Sequence, residues 1–182
     1  KVYVEAGSEE ATKRAMKLWQ DALAKLGLNL NITYTSNIAD LIDGVDLAVL
    51  DADNTTTRLD FAKASKNVEN DKDFEMSDLA GLTTKVTENA FVEADSNDKY
   101  NKSGTIRDGS LFRKTTMVVQ VNHDSQATAD DKYVTLAHEF GHVFGLQHDD
   151  NDPLMATFRS SVKAIISDKS AQGALKHFCP YC

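Results

Sequence analysis

Residues 138–149 read HEFGHVFGLQHD, and this stretch constrains the fold of the chain more than any other. On a helix, residues four apart lie on the same face, so His138 and His142 present two imidazoles to one point. Gly145 can adopt a left-handed backbone conformation and end the helix, after which the chain turns sharply. His148 can then return towards the first two histidines. The spacing therefore predicts a helix to about Gly145 and a turn that brings three imidazoles together.

Three imidazoles in this register are a ligand set for catalytic zinc, because they leave the fourth tetrahedral position open. Glu139 follows the first histidine, so its carboxylate can reach a water in that position and act as general base and acid. The alternative is a helix with surface histidines, but two His, one Glu, a Gly and a third His rarely coincide in this order. The motif predicts Zn²⁺ held by His138, His142 and His148, with Glu139 as the catalytic residue.

Two other acidic features offer competing metal ligands. Asp149 follows His148 directly and is a second candidate for the third ligand, but the spacing and the affinity of imidazole for zinc favour His148. A hydrogen bond or a helix-end contact suits Asp149 better. An acidic cluster could indicate structural Ca²⁺, but it lacks the ordered spacing of a calcium loop, and we expect a solvated surface; it consists of Asp51, Asp53 and Asp60.

Composition and charge exclude several classes of protein. The 182 residues suffice for one domain with its own core. A net charge of -8 argues against a nucleic acid partner, whose phosphates require a basic face. No apolar run approaches the ~18 residues of a transmembrane segment. The sequence starts at Lys1 without a signal-peptide pattern, as a processed secreted protein or a shortened sequence would.

The apolar pattern predicts mixed α and β elements. Residues 8–26 have helical spacing between Ser8, a candidate N-cap, and Gly27, and they place Trp19 in the core. A final helix is predicted within 158–176, and Asp130 or Asp131 is the expected N-cap of the motif helix. Strands are predicted at 1–5, 28–34, 45–51, 79–88 and 115–122, with 45–51 the more central, and a loop or hairpin tip at 93–110.

At the extended motif the chain resembles the metzincin clan of zinc peptidases, and within it the matrixin-like (matrix-metalloprotease-type) enzymes. Met155, seven residues after His148, matches the Met-turn of that clan. Thr157 stands where astacin-like and serralysin-like members have a tyrosine, which favours the matrixin-like branch. Cys179 and Cys182 are similar to the C-terminal CxxC of archaemetzincins, but the partner cysteines near the third ligand are absent. An archaemetzincin-like or snapalysin-like protein is therefore disfavoured, and the two cysteines form a small disulfide loop or stay free thiols.

The resemblance implies an α+β metzincin (zincin-like) domain over residues 1–182. It has a mixed twisted sheet, a long N-terminal helix, an active-site helix and a C-terminal helix. An upper part over about 1–147 holds the sheet and the active-site helix, and a small lower part over about 148–182 holds the Met-turn. The strand at 79–88 would be the sheet edge that pairs with an extended peptide.

The resemblance also implies a zinc metalloendopeptidase that hydrolyses protein or peptide substrates through a zinc-bound water activated by Glu139. We expect a monomer that is secreted or exposed at the cell surface, without a nucleic acid partner. The alternative function is a zinc-bearing, non-catalytic binding module of the same fold. The presence of Glu139 argues against that alternative, because loss of the base is the usual way to silence such a site.

Overall fold

The computed structural model describes residues 1–37, 39–40, 45–52, 81–86, 91–92, 110–111, 116–122, 128–157 and 163–179. The chain divides into two compact units, which we call the sheet unit and the helical unit. The sheet unit comprises residues 1–8 and 33–126, and the helical unit comprises residues 9–32 and 127–182. The HExxH motif and His148 belong to the helical unit. The expectation of a single domain over 1–182 stays a prediction.

The described residues form seven strands and three helices, as an α+β fold requires. The strands are β1 (Val2–Val4), β2 (Tyr34–Thr35), β3 (Leu47–Ala52), β4 (Gly81–Val86), β5 (Phe91–Val92), β6 (Ser110–Leu111) and β7 (Thr116–Asn122). The helices are α1 (Glu9–Ala24), α2 (Ala129–Val143) and α3 (Asp168–Phe178). None of the described helices has the length and apolar content of a membrane-spanning segment.

The sheet unit contains a mixed five-stranded sheet with the order β2-β1-β3-β7-β4. Its first four strands are parallel, and β4 runs antiparallel to β7. Val49 of the central β3 is in register with Val4 and Val119, and all three side chains are buried. A continuous apolar run is typical of such a central parallel strand. The predictions for β1, β3, β4 and β7 are confirmed, including the central place of β3 and the edge position of β4.

The strand predicted at 28–34 is wrong for all but its last residue. Only Tyr34 of that segment lies in a strand, the two-residue β2. The first part of the segment is bonded to α1 instead: Leu28 N donates to the Leu23 carbonyl at 3.0 Å, and the Leu30 carbonyl accepts from Gln20 Nε2 at 2.9 Å. Only at its end does the segment reach the sheet, where the Thr33 carbonyl accepts from Val2 N at 2.8 Å. The alternating apolar pattern of residues 28–32 therefore does not mark a strand.

Several sequence predictions fall largely on residues outside the described part of the chain. The antiparallel pair of β5 and β6 flanks the polar segment predicted at 93–110, of which only Ser110 is described. Asp51 lies in β3, whereas Asp53 and Asp60 of the acidic cluster lie outside the described residues, as does His123.

Helix α1 is amphipathic, as predicted, and ends two residues earlier than expected. Its buried side chains include Ala15, Trp19 and Leu23. Gly27 has a φ of +87°, and the amides of Gly27 and Leu28 donate to the carbonyls of Ala24 and Leu23. This pair of bonds is a Schellman motif, which satisfies carbonyls that the helix end leaves open.

Helix α3 differs from the helix predicted within 158–176. Residues 158–162 lie outside the described part, and the helix begins only after Ser167, whose side chain accepts from Ser170 N as the N-cap. Ile165 precedes the helix and is 53% exposed, so its spacing with Ile166 does not mark a buried helix face. Cys179 at the C-cap is disulfide-bonded, and Cys182 is the one other cysteine in the sequence.

Candidate metal centre

The helix that carries the motif starts at Ala129, two residues earlier than an N-cap at Asp130 would place its first residue. Thr128, and not Asp130 or Asp131, is its N-cap. Thr128 Oγ1 accepts from Asp131 N at 3.1 Å, which is the usual N-cap bond, and donates to Asp131 Oδ2 at 2.7 Å. The two aspartates lie in the first turn, where negative charge complements the helix dipole.

Trp19 of α1 lies against the back of α2 inside the helical unit. Its indole is fully buried, and Nε1 donates to the Ala137 carbonyl at 2.8 Å, one residue before His138. The indole also meets the Phe144 ring edge to face, with centroids 5.2 Å apart. The core role predicted for Trp19 is therefore confirmed, and the contact holds the middle of α2 in place.

Helix α2 ends in the turn that the sequence predicted. Gly145 has a φ of +82°, its amide donates to the His142 carbonyl at 3.0 Å, and Leu146 N donates to the Gly141 carbonyl at 3.0 Å. These bonds form a second Schellman motif. A Cβ atom on Gly145 would also lie 2.5 Å from Nδ1 of His177 in α3. Backbone conformation and packing both require glycine at this position.

The turn brings His148 back to the two histidines of α2. The Nε2 atoms of His138 and His142 are 3.1 Å apart, and His148 Nε2 lies 3.3 and 3.2 Å from them. Zinc–nitrogen bonds of ~2.05 Å at tetrahedral angles would separate the nitrogens by ~3.3 Å. The three atoms are therefore spaced as ligands of one tetrahedral ion.

The other ring nitrogens indicate which tautomers are present. His138 Nδ1 lies 2.6 Å from the Leu154 carbonyl, and His142 Nδ1 lies 2.9 Å from the Leu146 carbonyl. Since a carbonyl only accepts, each Nδ1 carries the proton, and each Nε2 presents a lone pair to the common point. Lone pairs 3.1 Å apart repel each other unless a cation lies between them. The donor set thus fits a zinc ion held by neutral imidazoles.

The three imidazole rings differ in how far they are buried. His138 is 5% exposed, His142 is half-buried and His148 is exposed. Partial desolvation lowers the pKa of His148, and the nearby His142 lowers it further, against the opposing charges of Glu139 and Asp150. The lowered pKa favours the neutral imidazole that a metal requires. Glu139 is 5% exposed and therefore lies in a low-dielectric setting beside His138.

Met155 packs directly against the backbone of α2. It is 1% exposed, and a Cβ atom on Gly141 would lie 2.3 Å from its Sδ atom. On the same construction, Trp19 Cζ2 would lie 3.4 Å away. The thioether therefore occupies the space of a side chain at the position immediately before His142, whereas the indole would be at van der Waals contact.

Asp149 does not join the group of ligand atoms. Its carboxylate binds Lys169 Nζ at 2.5 Å and accepts from Asn151 N at 3.0 Å, and its amide donates to the Met155 carbonyl at 2.9 Å. The hydrogen bond from Lys169, followed by that from Asn151, lowers the pKa of the carboxyl. Among the described residues, the group close enough to share a metal ion is the three histidines alone.

Sequence reasoning assigned no role to Asp152. Asp152 is 5% exposed, and its Oδ1 accepts from Leu154 N at 2.8 Å and Met155 N at 2.9 Å. An Asp that bonds to amides two and three residues ahead is a common local motif, so the sequence carried a signal for the turn but none for its burial. His177, expected at the surface, is exposed.

Comparison with known proteins agrees with the geometry of the centre. A family model for reprolysin-like metallopeptidases of family M12B matches residues 29–149, which is about two thirds of the chain. The match includes the three histidines and Glu139, and it ends before Met155. It supports a metzincin-type zinc metallopeptidase, and it does not specifically support the matrixin-like branch that Thr157 favoured. No curated protein matches the chain.

Proposed function

We propose, from the premise that the chain belongs to the reprolysin-like metallopeptidases of family M12B, that it is a zinc-dependent endopeptidase of protein substrates. One observation carries the proposal. Three Nε2 atoms lie within 3.3 Å of one another, while two of the rings donate Nδ1–H to carbonyls. We assign His138, His142 and His148 as the zinc ligands and Glu139 as the catalytic residue.

The side chains of the centre have separate tasks in the proposed reaction. Bound zinc would supply a Lewis acid that polarises the peptide carbonyl and lowers the pKa of a water to about 7. The Glu139 carboxylate takes the proton of the attacking water and then gives it to the departing amine. No covalent intermediate forms on the chain, because the nucleophile is water.

Hydrogen bonds to the backbone hold the orientations of two of the imidazole rings. The Leu154 and Leu146 carbonyls hold the Nδ1–H groups of His138 and His142, so neither ring can flip without losing a hydrogen bond. His148 lies after the Gly145 turn, which fixes its approach. Such fixed ligands reduce the reorganisation that metal binding requires.

The proposal is tested by cleavage of a mixed peptide library. The zinc-loaded chain is expected to cut internal bonds, to lose activity with a chelator and to regain it when zinc is added back. Glu139→Gln is expected to keep one zinc per chain and to lose activity by about 10²–10⁴-fold, the usual contribution of a general base. Full activity of that variant would refute the assignment of Glu139.

The same experiment separates the enzyme from a zinc-bearing binding module. A wild-type chain that binds zinc and cuts no member of the library would support the module.

We also propose that the protein is secreted or exposed at the cell surface. The disulfide at Cys179 supports this location, because disulfides persist in oxidising compartments.

A further inference from the structure

The carboxylate of Asp152 is buried and accepts four hydrogen bonds. Oδ1 accepts from the amides of Leu154 and Met155 at 2.8 and 2.9 Å. Oδ2 accepts from Ser167 Oγ at 2.5 Å and from Ser170 Oγ at 2.7 Å. Burial raises the pKa of this carboxyl, but the four hydrogen bonds outweigh burial and lower it. The carboxylate is therefore charged at neutral pH.

One peptide group connects this carboxylate to a histidine. The amide of Met155 and the carbonyl of Leu154 belong to the same planar unit. Because no cis peptide occurs among the described residues, the two groups point in opposite directions. The amide donates to Asp152 Oδ1, and the carbonyl lies 2.6 Å from His138 Nδ1. Carboxylate, peptide and imidazole thus form a continuous hydrogen-bonded chain.

The chain of hydrogen bonds has an electronic consequence. A charged acceptor polarises the peptide that donates to it, so the carbonyl of that peptide becomes a stronger acceptor. The distance from His138 Nδ1 to Leu154 O is 2.6 Å, against 2.9 Å for the pair of His142 and Leu146. A stronger acceptor at Nδ1 makes Nε2 a better electron donor to a metal.

We propose that Asp152 is a positioning residue that orients His138 and raises its affinity for zinc through the Leu154–Met155 peptide group. The inference rests on the proposed function, since His138 is a ligand only if the centre holds zinc. The two serine hydroxyls give Asp152 its rigidity, because Ser167 is the N-cap of α3 and Ser170 lies in its first turn. Asp149, although closer to His148 in sequence, pairs with Lys169 instead.

The test compares Asp152→Asn with wild type, both loaded with zinc. Asn keeps the shape and an oxygen acceptor but removes the charge. Zinc affinity, measured by competition with a chromophoric chelator, is expected to weaken about 10–100-fold, as it does when such outer partners are lost. The Nδ1–H proton of His138, observed by NMR, is expected to move upfield, whereas that of His142 stays in place.

Asp168→Asn is the matched control. It removes an exposed carboxylate from the first turn of α3, and we expect zinc affinity and both Nδ1–H resonances to stay unchanged. If Asp152→Asn is folded and retains wild-type zinc affinity and the wild-type His138 resonance, the inference is overturned. A role in folding alone would lower the unfolding temperature without moving the His138 resonance selectively, and this outcome would also overturn it.

A measurement on the wild-type chain keeps the inference testable if Asp152→Asn fails to fold. In the zinc-loaded protein the His138 Nδ1–H resonance is expected farther downfield than that of His142, because its acceptor is polarised. Equal resonances would overturn the inference. A wild-type chain that binds no zinc at all contradicts the proposed function first, so the two failures are distinguishable.

Discussion

Gly141, next to the proposed ligand His142, is constrained by the packing of Met155. Gly141 lies between Phe140 and His142 in the last turn of α2, and glycine within a helix costs about 1 kcal/mol of stability relative to alanine. Met155 Sδ occupies the space that a side chain at this position would need. The residue therefore serves packing beneath the centre and not helix formation.

Gly141→Ala is expected to destabilise the chain despite the better helix propensity of alanine. The new Cβ atom would lie 2.3 Å from Met155 Sδ, and such overpacking typically costs about 1–3 kcal/mol. Urea unfolding of the zinc-free chain measures the effect. Met155→Ala should relieve the clash, so the double variant is expected to lose less than the sum of the two single losses. Additive losses would contradict this contact.

At the scale of elements, Asp152 joins the turn that carries Met155 to the start of α3. Its carboxylate binds two amides of the turn and two hydroxyls of the helix start. Negative charge near a helix N-terminus is favourable, so α3 contributes to the stability of the buried anion. The turn and the helix should consequently lose stability together when the carboxyl is protonated.

The pH dependence of this junction has a defined sign. Hydrogen bonds lower the pKa of Asp152 from its ordinary 3.8 in the folded chain. A lowered folded pKa means that the stabilisation is complete above the unfolded value and is lost as the pH falls through the folded value. With a chelator present, the difference in Tm between wild type and Asp152→Asn is expected to be constant above about pH 5 and to shrink below pH 3.8. A difference that persists unchanged to pH 3 would contradict the lowered pKa.

For the whole molecule, zinc should stabilise the folded state because the three ligands converge only there. Their sequence separation is ten residues, and an unfolded chain does not hold their Nε2 atoms within 3.3 Å. At a free zinc concentration 100 times Kd, the folded state gains about 2.7 kcal/mol. Calorimetry with and without chelator is expected to show a higher Tm with zinc. His148→Ala should abolish most of this difference, and equal Tm values for the wild type would argue against zinc binding.

The elements that sequence predicted well are those whose determinants are local. The spacing of His138, His142 and Gly145 places the two histidines on one face of a helix and the glycine at its end. The apolar run of β3 is typical of a central parallel strand. The match to reprolysin-like metallopeptidases spans residues 29–149 and includes both of these segments. The branch assignment from Thr157 stays a prediction, because it depends on one side chain beyond the matched residues 29–149.

Tertiary structure decided the features whose partners are distant or context-dependent. Residues 28–32 alternate like a strand, but Leu28 N and the Leu30 carbonyl are bonded to Leu23 and Gln20 of α1. In the sequence, Asp152 resembles any aspartate in a turn. In the structure, its carboxylate accepts hydrogen bonds from the serines of α3, and the Leu154 carbonyl contacts His138, sixteen residues away. Spacing along the chain thus determined which residues could converge on a metal. Packing within the helical unit decided how firmly they are held, because those hydrogen bonds form only once distant segments meet.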